Sequence, residues 1–478
     1  MNTIQRILKN TFSLLAGDIV AQFLVFVSVI YLARVLGPQY FGKINFTLAI
    51  VIYFTLIANF GLPLLGTREI ARQRDQVREY IGSIVALRLV LALLGLIGLF
   101  LLTFLLGKSP EFNYLLILYG FGFIPSALLL DWVFQGIEKM EYIGLSRILS
   151  SVIYLMLVVW LVRGPGQLLL IPCFQVIGNL LAALFLIVVS TVHFGKFSLS
   201  CNLSRWKYLL RQAFPIGASI ILIQIVHYLD TVMLGFMKSD AEVGYYSAGY
   251  KIIMLLLTMG AAYYNAIFPV FSHYYHTSLD SLKRLQKYTM RLMISISLPL
   301  AVGGTILAKP LLFVFYGIHY GPAVPIFQVL VWTVAIGYLS MGYSKGLIAC
   351  GKQHQRMKID VVHACVAVAL NFIFIPLYGA LGAAIATVAG HFVAIFLGFR
   401  QLSKIVSVPF VRPIFKAFCA SCGMALFLMW GLRSEGCTLF LLIFLGAVVY
   451  IALLSVIKGI TYQDIQMIRS AILKRNEG

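Results

Sequence analysis

Residues Ile81–Leu106 read IGSIVALRLVLALLGLIGLFLLTFLL, with one charge, Arg88, and no proline. About 20 apolar residues, rising 1.5 Å each in a helix, cross the roughly 30 Å hydrocarbon layer of a bilayer. A barrel strand would be shorter and would alternate apolar with polar residues. The stretch is therefore a membrane-spanning helix. The chain around it has the same character: of 478 residues, 61% are hydrophobic and 11% charged, with a mean hydropathy of +0.95. A soluble domain is nearer 45–50% apolar and about 25% charged.

Fourteen such runs are predicted, at 11–36, 43–65, 81–106, 112–134, 143–163, 167–190, 211–236, 244–270, 286–308, 322–348, 359–377, 379–400, 410–432 and 437–457. The first is too long for a signal-peptide core and is expected to stay as a helix. The gaps are short, and none has room for a soluble catalytic domain. The expected fold is an all-α polytopic membrane protein of about 14 transmembrane helices. The formal net charge of +21 does not indicate nucleic acid, because the basic residues lie scattered in the gaps and are not gathered in one folded domain. With the N-terminus in the cytoplasm, 27 of the 37 Lys and Arg fall on that side and seven on the other. The positive-inside rule then puts both ends in the cytoplasm. Cys419 and Cys422 have CxxC spacing but sit in an apolar helix without a second pair, so they are packing residues and not a metal or redox site.

A weak internal repeat is legible. Asn59–Pro63 reads NFGLP near the end of span two, and Asn265–Pro269 reads NAIFP near the end of span eight; Gly42 and Gly244 open the same spans. Gly136 pairs with Gly351, and Gly164 with Gly379, at a constant offset. These matches predict two six-helix lobes related by a pseudo-two-fold axis, 1–208 and 209–408, followed by 409–478 as helices 13–14 and a cytoplasmic tail.

Charges inside spans cost about 2.5–3.5 kcal/mol each at the centre of an inserted helix and so mark functional candidates. Asp18 and Arg88 lie at similar depth in the first lobe, Asp230 and Lys251 in the second. They read either as a polar lumen that binds an anion and titrates a carboxylate, or as structural ion pairs. On span seven, Gln224, His227, Tyr228 and Thr231 share a face; on span eight, Lys251, Thr258 and Asn265 recur every seven residues. Such stripes belong inside the protein and not against lipid. A shorter stripe, Asp360, His363, Ala367 and Asn371, lies on span eleven. His227 and His363 titrate near neutral pH when unperturbed. Gly346–Lys352, GLIACGK, matches the first seven positions of a phosphate-binding loop. Gln353 replaces the required Ser or Thr and no strand precedes it, so that reading is rejected.

Asp131–Ile143, DWVFQGIEKMEYI, is the cytoplasmic turn between spans four and five, with Trp132 expected at the interface. Its order of residues resembles the turn after the fourth helix in polysaccharide flippases of the multidrug/oligosaccharidyl-lipid/polysaccharide exporter superfamily. LGPQYFGKINF (Leu36–Phe46) is similar to that family's first outer loop. RWKYLLRQAFPIGAS (Arg205–Ser219) and DAEVGYYSAGYK (Asp240–Lys251) resemble its approaches to helices seven and eight. The resemblance runs over nearly the whole chain.

The resemblance implies a bacterial inner-membrane flippase for undecaprenyl-diphosphate-linked oligosaccharides. Two lobes would surround a cationic cavity, and transport would be coupled to H+ or Na+, without another cofactor and without enzymatic chemistry. Membrane lipids and a polysaccharide polymerase are the expected partners, and nucleic acid is not. Arg88 and Lys251, then Arg34 and Lys345, are expected to meet the diphosphate. Gln224, Tyr228, Tyr250 and Asn265 would meet the sugar, and Asp18, Asp230 and His227 the coupling ion. Two other readings compete: a small-molecule or multidrug cation antiporter of the same superfamily, with a less cationic cavity, and a membrane polymerase or glycosyltransferase, which needs a large loop or domain that the span map lacks.

Overall fold

A computed structural model describes residues 3–405, 411–433 and 438–457. The tail predicted over 458–478 lies outside the described residues, as do the side chains of Arg6, Lys9 and Arg412. Among the described residues every regular element is a helix. In chain order they are α1 (Thr3–Asn59), α2 (Leu62–Arg72), α3 (Val77–Leu106), α4 (Pro110–Gly120), α5 (Phe123–Leu128), α6 (Asp131–Gly136), α7 (Met140–Leu161), α8 (Leu170–Phe194) and α9 (Leu203–Met237). There follow α10 (Asp240–Thr277), α11 (Leu279–Ile306), α12 (Ala308–Tyr316), α13 (Ala323–Leu330), α14 (Trp332–Ala349), α15 (Gln353–Leu402), α16 (Val411–Gly431) and α17 (Leu439–Val456).

Eleven apolar helical segments among the described residues are long enough to cross a membrane. Two of them, Ala16–Arg72 and Gln353–Leu402, each hold two spans that meet at a glycine. Gly37 has φ 73°, ψ 173°, and Gly379 has φ 58°, ψ −133°. An L side chain is strained at either angle, so glycine bends the chain there at least cost. With α9, the total is the fourteen spans expected. The all-α polytopic fold is as the sequence implies.

The chain forms two compact units, Met1–Gly244 and Tyr245–Gly478. In the first, a core gathers Leu62, Leu65, Ile84, Val133, Phe134 and Trp132. Trp132 is packed within this core, 2% exposed. Gly66 makes the slot: a Cβ there would lie 2.3 Å from the indole Cε3. In the second unit, α16 and α17 dock through Met424, Leu428, Leu442 and Leu454, and Tyr450 Oη donates to the Ser295 carbonyl of α11 at 2.8 Å.

The repeat is real at one turn and broken at another. Lys139 N donates to Phe134 O, and Lys352 N to Leu347 O, both at 2.9 Å. Each closes a helix through a left-handed residue, Glu138 (φ 61°) in one unit and Gly351 (φ 69°) in the other, in the manner of a Schellman cap. The structural partner of Gly351 is thus Glu138 and not Gly136. NFGLP and NAIFP diverge more. After Asn59 the helix breaks at Phe60 (φ 38°) and Gly61 (φ 72°), whereas α10 runs on past Asn265 with Pro269 inside it.

Candidate functional site

Arg88 enters the first unit on α3 and is 3% exposed. A buried guanidinium needs acceptors, and the segmented α4–α6 region supplies them. Nη1 donates to Leu129 O at 3.0 Å, and Nη2 donates to Ser126 O; both carbonyls lie where α5 ends and the intrahelical ladder stops. Asn59 Oδ1 accepts from Nε at 3.1 Å and from Nη2 at 2.6 Å. Asn59 is itself fixed by donating to Thr55 O at 3.0 Å and Ser126 Oγ at 3.2 Å. Four of the five N–H donors of Arg88 are committed within its own unit.

Asp18, half-buried on α1, pairs with Arg147 of α7, whose Nη2 also reaches Asp131 Oδ2 at 3.3 Å. Asp131 lies within electrostatic range of Arg88 in turn. The acid and base expected at matching depth, Asp18 and Arg88, are therefore joined indirectly, through Asp131 and Arg147. Of the two connecting residues, Asp131 opens the stretch that carries the family resemblance, and Arg147 lies four residues past its end.

The span-seven candidates also lie in the first unit. Asp230 is 7% exposed, and Asp230 and Tyr228 are within electrostatic range of Tyr53 on α1. Gln224 is half-buried, and His227 and Arg34 are exposed. Near the α9–α10 turn, α1 approaches so closely that a Cβ on Gly42 would lie 1.7 Å from Asp240 O, and one on Gly244 2.0 Å from Pro38 O. Buried Lys43 pairs with Glu111 there. Lys108 donates to Gly235 O at 3.0 Å, with Phe46 and Phe236 rings 5.3 and 5.7 Å from its Nζ. The LGPQYFGKINF and DAEVG motifs thus describe one tight helix crossing.

In the second unit, the α10 stripe carries Lys251 and Thr258, both half-buried, and Asn265, which is exposed. Among the described residues Lys251 has no hydrogen-bond or ion-pair partner. At the other end of the stripe Lys345 of α14 donates to Asn265 Oδ1 at 2.8 Å and lies 5.3 Å from the centroid of the Phe268 ring. Two predicted substrate residues, Lys345 and Asn265, are brought together. Tyr250 stacks on Tyr246 at 5.7 Å. Tyr246 Oη meets Thr387 Oγ1 at 3.1 Å, and His391 Nδ1 donates to Thr387 O at 2.8 Å. The His391 ring lies 4.8 Å from that of His363. No cluster of three or more His, Cys, Asp or Glu among the described residues could hold a metal ion.

A family model described as polysaccharide biosynthesis protein matches residues 7–275, more than half of the chain. The chain belongs to this family. Among its relatives is a "Putative O-antigen transporter" of Escherichia coli (strain K12), 29% identical over 247 residues, 50% of this chain and 58% of that protein. The chain thus matches little more than half of that relative. A protein of the same name from Shigella dysenteriae is 25% identical over 373 residues, covering 76% of this chain and 91% of its own length. "Probable flippase AglR" of Haloferax volcanii is 28% identical over 210 residues, 42% of this chain and 43% of that one. Among solved structures, "Lipid II flippase MurJ, inward closed conformation" superposes with a TM-score of 0.79 at 14% identity, covering 94% of this chain and 98% of that one. An inward-facing MATE family transporter of the MOP superfamily gives 0.66 at 15% identity, over 80% and 95%. At such identities the superpositions speak for the fold. Both branches share it, and the family match favours the polysaccharide branch, as the motifs implied.

Proposed function

We propose that the protein moves undecaprenyl-diphosphate-linked oligosaccharides across the bacterial inner membrane for surface polysaccharide assembly, with both ends of the chain in the cytoplasm. The observation that carries this reading is Lys251: a half-buried cation in a span, without a partner among the described residues, on the same helix face as Thr258 and Asn265. Burying a lone ammonium is expensive, and a diphosphate crossing beside it would offset that cost while losing its own water. Relatives named as O-antigen transporters and flippases support the substrate class.

Lys251, Lys345 and Arg34 are the cations assigned to the diphosphate. Arg88 is assigned to bracing α3 against α5, since four of its five donors are already engaged. Tyr250, Asn265, Gln224 and Tyr228 are the residues assigned to the sugar. Asp18, tied to Arg147, together with Asp230 and His227, are the groups through which H+ or Na+ would couple. The division 1–208, 209–408 and 409–478 belongs to the same proposal, as does association with a polysaccharide polymerase. The cycle needs binding and conformational change only, with no covalent step.

The test is complementation. A strain deleted for the gene should lose surface polysaccharide and retain lipid-linked units in the inner leaflet, and wild-type protein should restore export. A deletion that leaves polysaccharide intact and sensitises cells to cationic dyes would instead establish the drug-antiporter alternative.

A further inference from the structure

Past Thr258, α10 and α14 meet through glycines and tyrosines placed in opposite order. On α10 the order is Gly260 then Tyr264; on α14 it is Tyr338 then Gly342. In each helix the two residues are about one turn apart and share a face. The Tyr338 ring lies over Gly260, where a Cβ would stand 2.5 Å from Cε1 and 2.7 Å from Cδ1. One turn on, a Cβ on Gly342 would stand 2.7 Å from Tyr264 Oη and 3.3 Å from its Cζ. Each tyrosine fills the space that the other helix's glycine leaves open. Tyr338 is 2% exposed and Tyr264 0%, so both rings are enclosed.

Contacts on either side keep the same order. Before the two pairs, a Cβ on Gly337 would stand 2.7 Å from Leu257 Cδ2. After them, Lys345 donates to Asn265 Oδ1 at 2.8 Å. The two helices therefore run side by side in the same direction. Tyr338 Oη fixes their axial position by donating to the Leu256 carbonyl at 2.7 Å. α11 backs the same turn, where Gln286 Nε2 donates to Gly342 O at 3.2 Å. A slip of one residue would shift either helix by about 1.5 Å and turn its side chains by about 100°. It would drive a ring into backbone and part Lys345 from Asn265.

We infer that Tyr264 and Tyr338 are positioning residues that lock α10 and α14 in one register throughout the transport cycle, so that the α10 stripe and Lys345 move as a single surface. The inference rests on the transport reading above, in which Asn265 and Lys345 meet the substrate. It adds two residues that touch no substrate and act through the helices they hold together.

The first part of the test reads the thermal midpoint of the full chain, purified in detergent. Gly342→Ala should lower it by roughly 4 °C or more through overpacking. Adding Tyr264→Phe removes the atom nearest the new methyl and should restore most of that loss. Tyr264→Phe alone should not lower the midpoint, because Tyr264 Oη has no hydrogen-bond partner among the described residues and deleting an unpaired buried hydroxyl costs little. Per folded molecule, Gly342→Ala should also export less polysaccharide, and the double variant should recover export. Additive losses in the double variant, or full export by Gly342→Ala despite a lowered midpoint, would overturn the inference. The second part joins the helices covalently. With the native cysteines replaced by alanine, Leu257→Cys and Gly337→Cys should cross-link on oxidation, read as protection from maleimide labelling, and the cross-linked protein should export as well as its reduced form. Failure to cross-link would refute the register. Export lost on oxidation and regained on reduction would show that the helices slide past one another. The transport reading is judged apart: polysaccharide retained in a deletion strain would sink it, and the midpoints would still decide the interlock.

Discussion

Asn59→Ala tests whether Arg88 is a brace. The substitution removes the Oδ1 that accepts from Nε at 3.1 Å and Nη2 at 2.6 Å. Nη2 keeps Ser126 O, and Nη1 keeps Leu129 O, but Nε is left without an acceptor at a residue 3% exposed. A hydrogen bond to a charged group contributes about 1.5–3 kcal/mol, and orphaning a buried charged donor adds to that. Allowing for local relaxation, the expected loss is about 3 kcal/mol. For a unit of this size that corresponds to roughly 6–12 °C in the thermal midpoint. The assay is loss of the monodisperse peak in detergent on heating, followed by size exclusion. Asn59→Asp should recover part of that loss, because a carboxylate accepts the Arg88 bonds with opposite charge, but it forfeits the bonds that Asn59 Nδ2 donates to Thr55 O and Ser126 Oγ. Asn265→Ala, at the exposed equivalent, should fall within about 0.5 kcal/mol of wild type yet lower polysaccharide export. If Asn59→Ala melts within about 1 °C of wild type, the guanidinium is not held as described and the division of labour between the two asparagines fails.

Other outcomes follow from the remaining contacts. Gly42→Ala and Gly244→Ala should each cost about 1–3 kcal/mol as overpacking, seen as reduced folded yield, because backbone oxygens stand 1.7 and 2.0 Å from the new Cβ. Arg147→Ala should lower the thermal midpoint by uncovering Asp18 and Asp131 together, and adding Asp131→Asn should recover part of the loss; a double variant no better than the single would show that the three residues do not act as one network. Lys251→Gln should cut export at least tenfold, measured by surface staining, with the folded yield unchanged; wild-type export would remove this residue from the transport path.

Apolar run length was enough to read the spans, because the bilayer imposes the same requirement on each of them. The long-range pairings were not legible in the same way. Arg88 looked available because no acid neighbours it in sequence, while its acceptors, Asn59, Ser126 and Leu129, include two carbonyls that exist as acceptors only because α5 is short. Arg147 could not be matched to its partners from sequence, since they lie 129 and 16 residues away. Trp132 was read as a residue of the interface, while the slot beside Gly66 that encloses it within the protein is a long-range contact. Lys251 and Asn265 were legible because both lie on one unbroken helix, where periodicity alone sets the face.

The continuity of α10 past Asn265 has a mechanical consequence. At 1.5 Å per residue its 38 residues make a rod about 57 Å long. Measured from Asp240, Lys251 stands about 16 Å along it and Asn265 about 38 Å. Any pivoting about the Asp240 end therefore sweeps Asn265 through more than twice the arc of Lys251, so α10 behaves as a lever with two unequal arms of travel. The first unit, jointed at Phe60–Gly61, has no such lever at the matching asparagine.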